Sequence, residues 1–162
     1  MNFHEKLNRI LEIALIAIMS ILVIDVLWQV TSRYVLSSPS SFTDELAGFL
    51  LIWVGLLGAA YVAGRNEHLA IDLLLQKTRH SRKRNLMIFI QICILIFAAT
   101  AMVIGGSWLV YTRFALDVKS AALELPLGYV YIVLPLAGLL IVYYSMRSII
   151  LLIKDNSINI SK

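Results

Sequence analysis

Charge is scarce in this sequence. Only 15% of its 162 residues are charged and 60% are apolar, whereas an average soluble domain carries about 25% charged residues. A small soluble fold leaves too much surface exposed to hide such an apolar excess. The excess therefore has to face lipid or another protein. Cysteine is nearly absent: Cys93 stands alone inside an apolar run, which excludes an intrachain disulfide and a dithiol redox centre. It reads as a small packing side chain. The histidines, His4, His68 and His80, all lie outside the long apolar runs, which argues against a haem gripped between spans. No phosphate-binding glycine loop, metal-ligand cluster or nucleophile elbow occurs. No metal or cofactor site is expected in this chain, and little sequence is left over for a catalytic domain.

What is present is a set of four long apolar runs. A hydrocarbon core about 30 Å thick needs about 20 helical residues, and the runs at about 10–35, 44–63, 86–112 and 127–152 supply that length. They are continuous and lack two-residue alternation, so helices rather than a barrel follow. The first run follows Lys6 and Arg9 as a signal peptide would. It is too long for one, contains acidic residues and has no small-residue cleavage pattern, so it is read as a retained span. Pro135 is expected to kink the fourth helix. The fold class is thus an all-α membrane protein with four transmembrane helices.

The connecting segments set the expected orientation. Residues 64–85 hold six basic and two acidic residues, 36–45 hold no basic residue, and 113–126 balance two basic against two acidic. The positive-inside bias places both termini and the middle connection in the cytoplasm. Within that connection Lys77, Arg79, Arg82, Lys83 and Arg84 form a basic cluster. Its position between two apolar runs fits a membrane surface better than nucleic acid. Just before it, His68, Asp72, Gln76 and Arg79 recur at helical spacing among leucines. This reads either as a short interfacial amphipathic helix over about 67–79 or as an extension of a neighbouring span.

The first span is unusual for its polar residues. Asn8, Glu12, Asp25, Gln29 and Arg33 fall on one side of a helix at about 100° per residue. A carboxylate at mid-membrane costs about 2.5–3.5 kcal/mol on insertion scales, so Asp25 must face protein or water. It belongs either to an ion path or to a packing surface. No acid or histidine lies well inside the other spans to continue a relay. Ser40, Ser41, Thr43, Asp44 and Glu45 open the second span. They suit either helix capping or an outward acidic docking patch. Small residues (Gly55, Gly58 and Ala59 in the second span; Ala98, Ala101 and Gly105 in the third) permit close helix contact. Trp53 and Trp108 read as packing or interfacial anchors.

Several of these residues together resemble a known family. Trp28-Gln29-Val30, Arg33-Tyr34-Val35-Leu36, Pro39 and Asp44-Glu45-Leu46 are followed by Trp53, Leu57-Gly58-Ala59-Ala60-Tyr61, Arg65, His68 and Ile71-Asp72. Ser120, Leu125-Pro126, Tyr131, Pro135 and Gly138 come later. In this order and spacing the chain resembles the small membrane subunit of TRAP transporters, the DctQ-like family. Phe42 departs from the tryptophan common there, and the chain resembles the separate rather than the fused form. The resemblance implies a tripartite, sodium-coupled importer of organic acids. Sodium and substrate would be held by a large multi-span subunit, and a soluble periplasmic protein would deliver the substrate. On that basis Asp25, Gln29, Arg33 and Trp53 are expected to meet the large subunit, and Asp44, Glu45, Asp117 and Lys119 the binding protein. Two other readings fit four spans. One is a self-sufficient, proton-coupled exporter of the small multidrug-resistance kind using Glu12, although those chains are shorter and their glutamate sits deeper. The other is an assembly factor.

Overall fold

The computed structural model describes residues 3–36, 40–65 and 80–159. The expected interfacial helix at 67–79, with His68, Lys77 and Arg79, lies outside them. Among the described residues, four helical spans are long and apolar enough to cross a membrane. The first is α1 (Phe3–Tyr34) and the second is α2 (Ser41–Arg65). The third is made of α3 (His80–Phe97), a π-helical segment (Ala98–Gly105) and α4 (Gly106–Ala115). The fourth combines α5 (Leu127–Tyr131) and α6 (Val133–Asn159). Arg82, Lys83 and Arg84 fall in the opening turns of α3.

The helices overrun the apolar stretches that identify them. α1 begins seven residues before the first run and α3 six before the third. Apolar length fixes only the part of a helix that lipid must cover, whereas backbone hydrogen bonding carries on into the polar zone. The break in the fourth span falls at Ile132, three residues before Pro135. Proline cannot donate to the carbonyl four residues back, so the Tyr131 carbonyl loses its helical partner there. Ile132 still donates to the Gly128 carbonyl (3.2 Å), and Leu136 to the Ile132 carbonyl (3.2 Å), so the two helices stay joined.

Packing is sequential rather than closed. α1 lies along α2, α2 along α6, and α6 along the third span; these are the extensive contacts between spans. The helices therefore form a layer in the order first, second, fourth, third. The fourth span is the most enclosed of them. Its inward face, Val133, Ala137, Gly138, Ile141, Tyr144, Ser145 and Ser148, repeats every three or four residues. Small residues bring it close to the third span. A Cβ on Gly138 would lie 2.7 Å from the Met102 Cβ, and one on Gly106 would lie 3.1 Å from the Pro135 ring. Both broad faces of the layer carry large exposed apolar side chains, as lipid or another protein requires.

Candidate functional site

The polar residues of the first span divide between two environments. Leu11, Asp25 and Ser32 are buried, spaced by seven or fourteen residues along the inner seam of α1. Asn8 and Gln29 flank this seam half-buried, whereas Glu12 and Arg33 fall outside it and are exposed. Asp25 is only 8% exposed, and its Oδ2 has no hydrogen-bond partner among the described residues. The stripe read from sequence is thus a packing seam with two charged residues at its margin. Glu12 faces an open groove of about 480 Å3 shared with Glu5, Arg9, Tyr61 and Arg65, and is not enclosed between spans. Arg65 stacks over the Tyr61 ring there, 5.2 Å from its centre.

The residues expected to dock a soluble partner all meet at one end of the layer. Arg33 Nη2 lies 3.5 Å from Asp44 Oδ1, linking the end of α1 to the start of α2, with both side chains about half exposed. Thr43 Oγ1 donates to the Ser40 carbonyl (3.0 Å). Thr43 thus bonds back to a main-chain carbonyl instead of capping a free N–H, and the neighbouring acids turn to other partners. Lys119 Nζ pairs with Asp117 Oδ2 (3.7 Å) on the exposed loop between the third and fourth spans.

Glu45 joins these parts. Its carboxylate accepts from Ser120 Oγ (3.0 Å) and from the backbone N–H groups of Ala121 (3.0 Å), Ala122 (2.8 Å) and Leu123 (2.9 Å). Successive backbone N–H groups pointing inward make an anion-binding concavity, and here the anion is the chain's own side chain. The loop closes around it through Ser120 N–H to the Leu125 carbonyl (2.9 Å) and Leu127 N–H to the Val118 carbonyl (2.9 Å). Asp117 (φ 44°) and Glu124 (φ 53°) both take left-handed backbone, turning the chain on either side of the clamp. Such a conformation persists in a non-glycine residue only where surrounding contacts fix it. Glu45 thus holds the loop that presents Asp117 and Lys119.

Sequence reasoning missed the Glu45 clamp because three of its four donors are main-chain N–H groups, which leave no residue-type signal. Trp53, read as a packing or interfacial anchor, has a specific partner. The indole Nε1 donates to the Val130 carbonyl (3.1 Å), tying α2 to the fourth span beside the Ile132 break. Arg113 lies over the Tyr131 ring at 5.8 Å, and Phe114 meets Tyr129 edge-on at 5.1 Å. Trp28, Tyr34, Phe42, Trp108, Tyr111 and Tyr129 are exposed at this same end, the pattern of an aromatic girdle at a membrane interface.

The family model for tripartite ATP-independent periplasmic transporters, DctQ component, matches residues 22–155. A putative TRAP transporter small permease protein from Haemophilus influenzae is 31% identical over 137 residues, covering 83% of this chain and 82% of that protein. The sialic acid TRAP transporter small permease protein SiaQ of Vibrio cholerae is 28% identical over 102 residues, 63% of this chain and 59% of SiaQ. The sialic acid TRAP transporter permease protein SiaT of Haemophilus influenzae is 33% identical over 102 residues, 60% of this chain and 16% of that longer protein. With the match reaching all four spans and the loop that Glu45 holds, this multi-pass membrane chain belongs to the DctQ component family of tripartite ATP-independent periplasmic transporters.

Proposed function

We propose that the chain is the small, non-catalytic subunit of a sodium-coupled importer of organic acids. In this reading it braces a large transport subunit in the inner membrane and helps seat a soluble periplasmic binding protein. The observation that carries the reading is the open layer of spans. Four helices packed side by side offer broad faces to a neighbour, whereas a carrier needs a site enclosed between moving parts. Sodium and substrate sites then belong to the large subunit. Sialic acid, named for two relatives, is an organic acid and fits that class.

The face offered to the large subunit combines two features. On α2 the residues Gly48, Gly55 and Ala59 are exposed, and a Cβ on Gly48 or Gly55 would meet nothing within 4 Å. Small exposed residues let a foreign helix approach closely, the main source of helix association in lipid. Gln29 and Arg33 add polar contacts at the margin of the α1 seam. Asp25 and Trp53 act from behind, as packed members of the same wall. At the opposite, clamped end, Asp44, Asp117 and Lys119 form the charged rim offered to the binding protein, with Glu45 fixing its shape. Positive-inside bias puts that rim in the periplasm and both termini in the cytoplasm.

Co-expression with a large TRAP transporter permease subunit tests the assignment. The two are expected to copurify through a tag on the large subunit. Replacing Gly55 and Ala59 together by leucine should cut recovery at least about fivefold while leaving the isolated chain folded. Undiminished recovery would remove this face from the interface, and failure of the wild-type pair to copurify would remove the subunit assignment.

A further inference from the structure

At the end of the layer opposite Glu45 lies a small cavity of about 100 Å3, walled by His4, Gly64, Tyr144, Arg147, Ser148 and Leu151. That is several times the ~10–15 Å3 a cavity needs to hold one water, room for a tetrahedral oxyanion. Its walls are firmly set. Tyr144 is 3% exposed and its hydroxyl donates to Asn8 Oδ1 (2.6 Å), while its ring meets His4 edge-on at 5.4 Å. Gly64 is packed so closely that a Cβ would lie 2.8 Å from Tyr144 Cζ and 2.9 Å from Asn8 Oδ1.

The polar groups on these walls are donors. With Asn8 Oδ1 taken by Tyr144, the Asn8 amide donates to His4 Nε2 (3.4 Å). A neutral His4 ring then carries its proton on Nδ1, and that atom is buried without a partner among the described residues. Arg147 lies within electrostatic reach of both His4 and Tyr144. It has no carboxylate partner among the described residues, and Ser148 adds a hydroxyl. Glu5 also lies within electrostatic reach of His4, but its side chain lines the neighbouring α1–α2 groove and not the cavity. The C-terminal end of α2, the negative end of its dipole, carries Arg65 in its last turn.

The position matters as much as the chemistry. From Glu45 to Gly64 along α2 is 19 residues, about 28 Å of helix rise, close to one hydrocarbon thickness. The cavity therefore lies one membrane thickness from the interfacial end, at the depth of the other leaflet's headgroups. We propose that it binds the phosphate of an anionic phospholipid headgroup, with Arg147, Ser148 and His4 Nδ1 as its donors. Basic pockets between spans are built for such headgroups. A free phosphate ion offers the same chemistry without the acyl chains, so the test separates the two.

The purified full-length chain is titrated with phosphatidylglycerol, phosphatidylethanolamine or inorganic phosphate and read by native mass spectrometry. Wild type should retain phosphatidylglycerol over phosphatidylethanolamine. Arg147→Gln should reduce that retention about fivefold, the effect of one basic residue at a membrane surface. Arg147→Lys should keep most of it, and Lys119→Gln, at the far end, should change nothing. Ser148→Ala should weaken retention without disturbing the buried Tyr144–Asn8 bond, and so serves if Arg147→Gln misfolds. Equal retention by wild type and both cavity variants would overturn the proposal. So would equal retention of the two lipids, or displacement of phosphatidylglycerol by millimolar inorganic phosphate. The site depends on the cavity alone and stands or falls separately from the transport reading.

Discussion

Glu45 and Asp25 are both acids in helices long enough to span a membrane, yet their surroundings give them opposite roles. Glu45 has four donors, three of them backbone N–H groups of one loop, and so it shapes what lies outside the membrane. Glu45→Ala should therefore speed amide hydrogen exchange at Ala122 and Leu123 by about tenfold or more, with α6 unchanged, and Glu45→Gln should give an intermediate effect. Exchange unaltered at those amides would mean that the loop holds itself. Gly64→Ala is the matching test at the other end. The new methyl would crowd Tyr144 and Asn8, and overpacking of that kind costs about 1–3 kcal/mol, readable as a lowered unfolding midpoint in detergent. The burial of Asp25 was legible in the sequence, because a mid-span carboxylate must be covered. The Glu45 clamp was not: its partners lie 75 to 78 residues away and are mostly main chain.

Among the elements, the four spans could be read from apolar run length, since nothing but a helix can carry such runs through lipid one at a time. Two features could not. The π-helical segment at Ala98–Gly105 holds no residue type that marks it. It sits where Met102 packs on Gly138, so tertiary contact accompanies the change of winding. The sequence also showed small residues in both the second and third spans without saying which would be used inside the chain. Ala98 is buried in the core, whereas Gly55 faces open space. This gives paired expectations for the isolated chain. Gly138→Ala should destabilise it by about 1–3 kcal/mol because the Met102 Cβ cannot swing aside, whereas Gly55→Ala should stay within about 0.5 kcal/mol. Equal effects would contradict the packing described here.

For the whole molecule, the order of helices in the layer was not written in the pattern. Spans that are apolar on every side do not declare which face meets which neighbour, because lipid and protein interiors are equally apolar. Charge counts separated the Arg-rich connection from the loop at 113–126, and the structure gathers Arg33, Asp44, Glu45, Asp117 and Lys119 at the latter end. In a Cys93→Ala background, a cysteine placed at Lys119 should react with an impermeant thiol reagent added outside intact cells. One placed at Lys154 should react only after the membrane is opened. The reverse pattern would invert the assigned topology.

The central claim, that this layer of helices braces a transporter without itself carrying substrate, is tested most directly by sodium-driven uptake of a labelled organic acid into proteoliposomes. Uptake is predicted when this chain, the large subunit and the binding protein are all present, and none when this chain is reconstituted alone. Sodium-dependent uptake by the isolated chain would contradict the account.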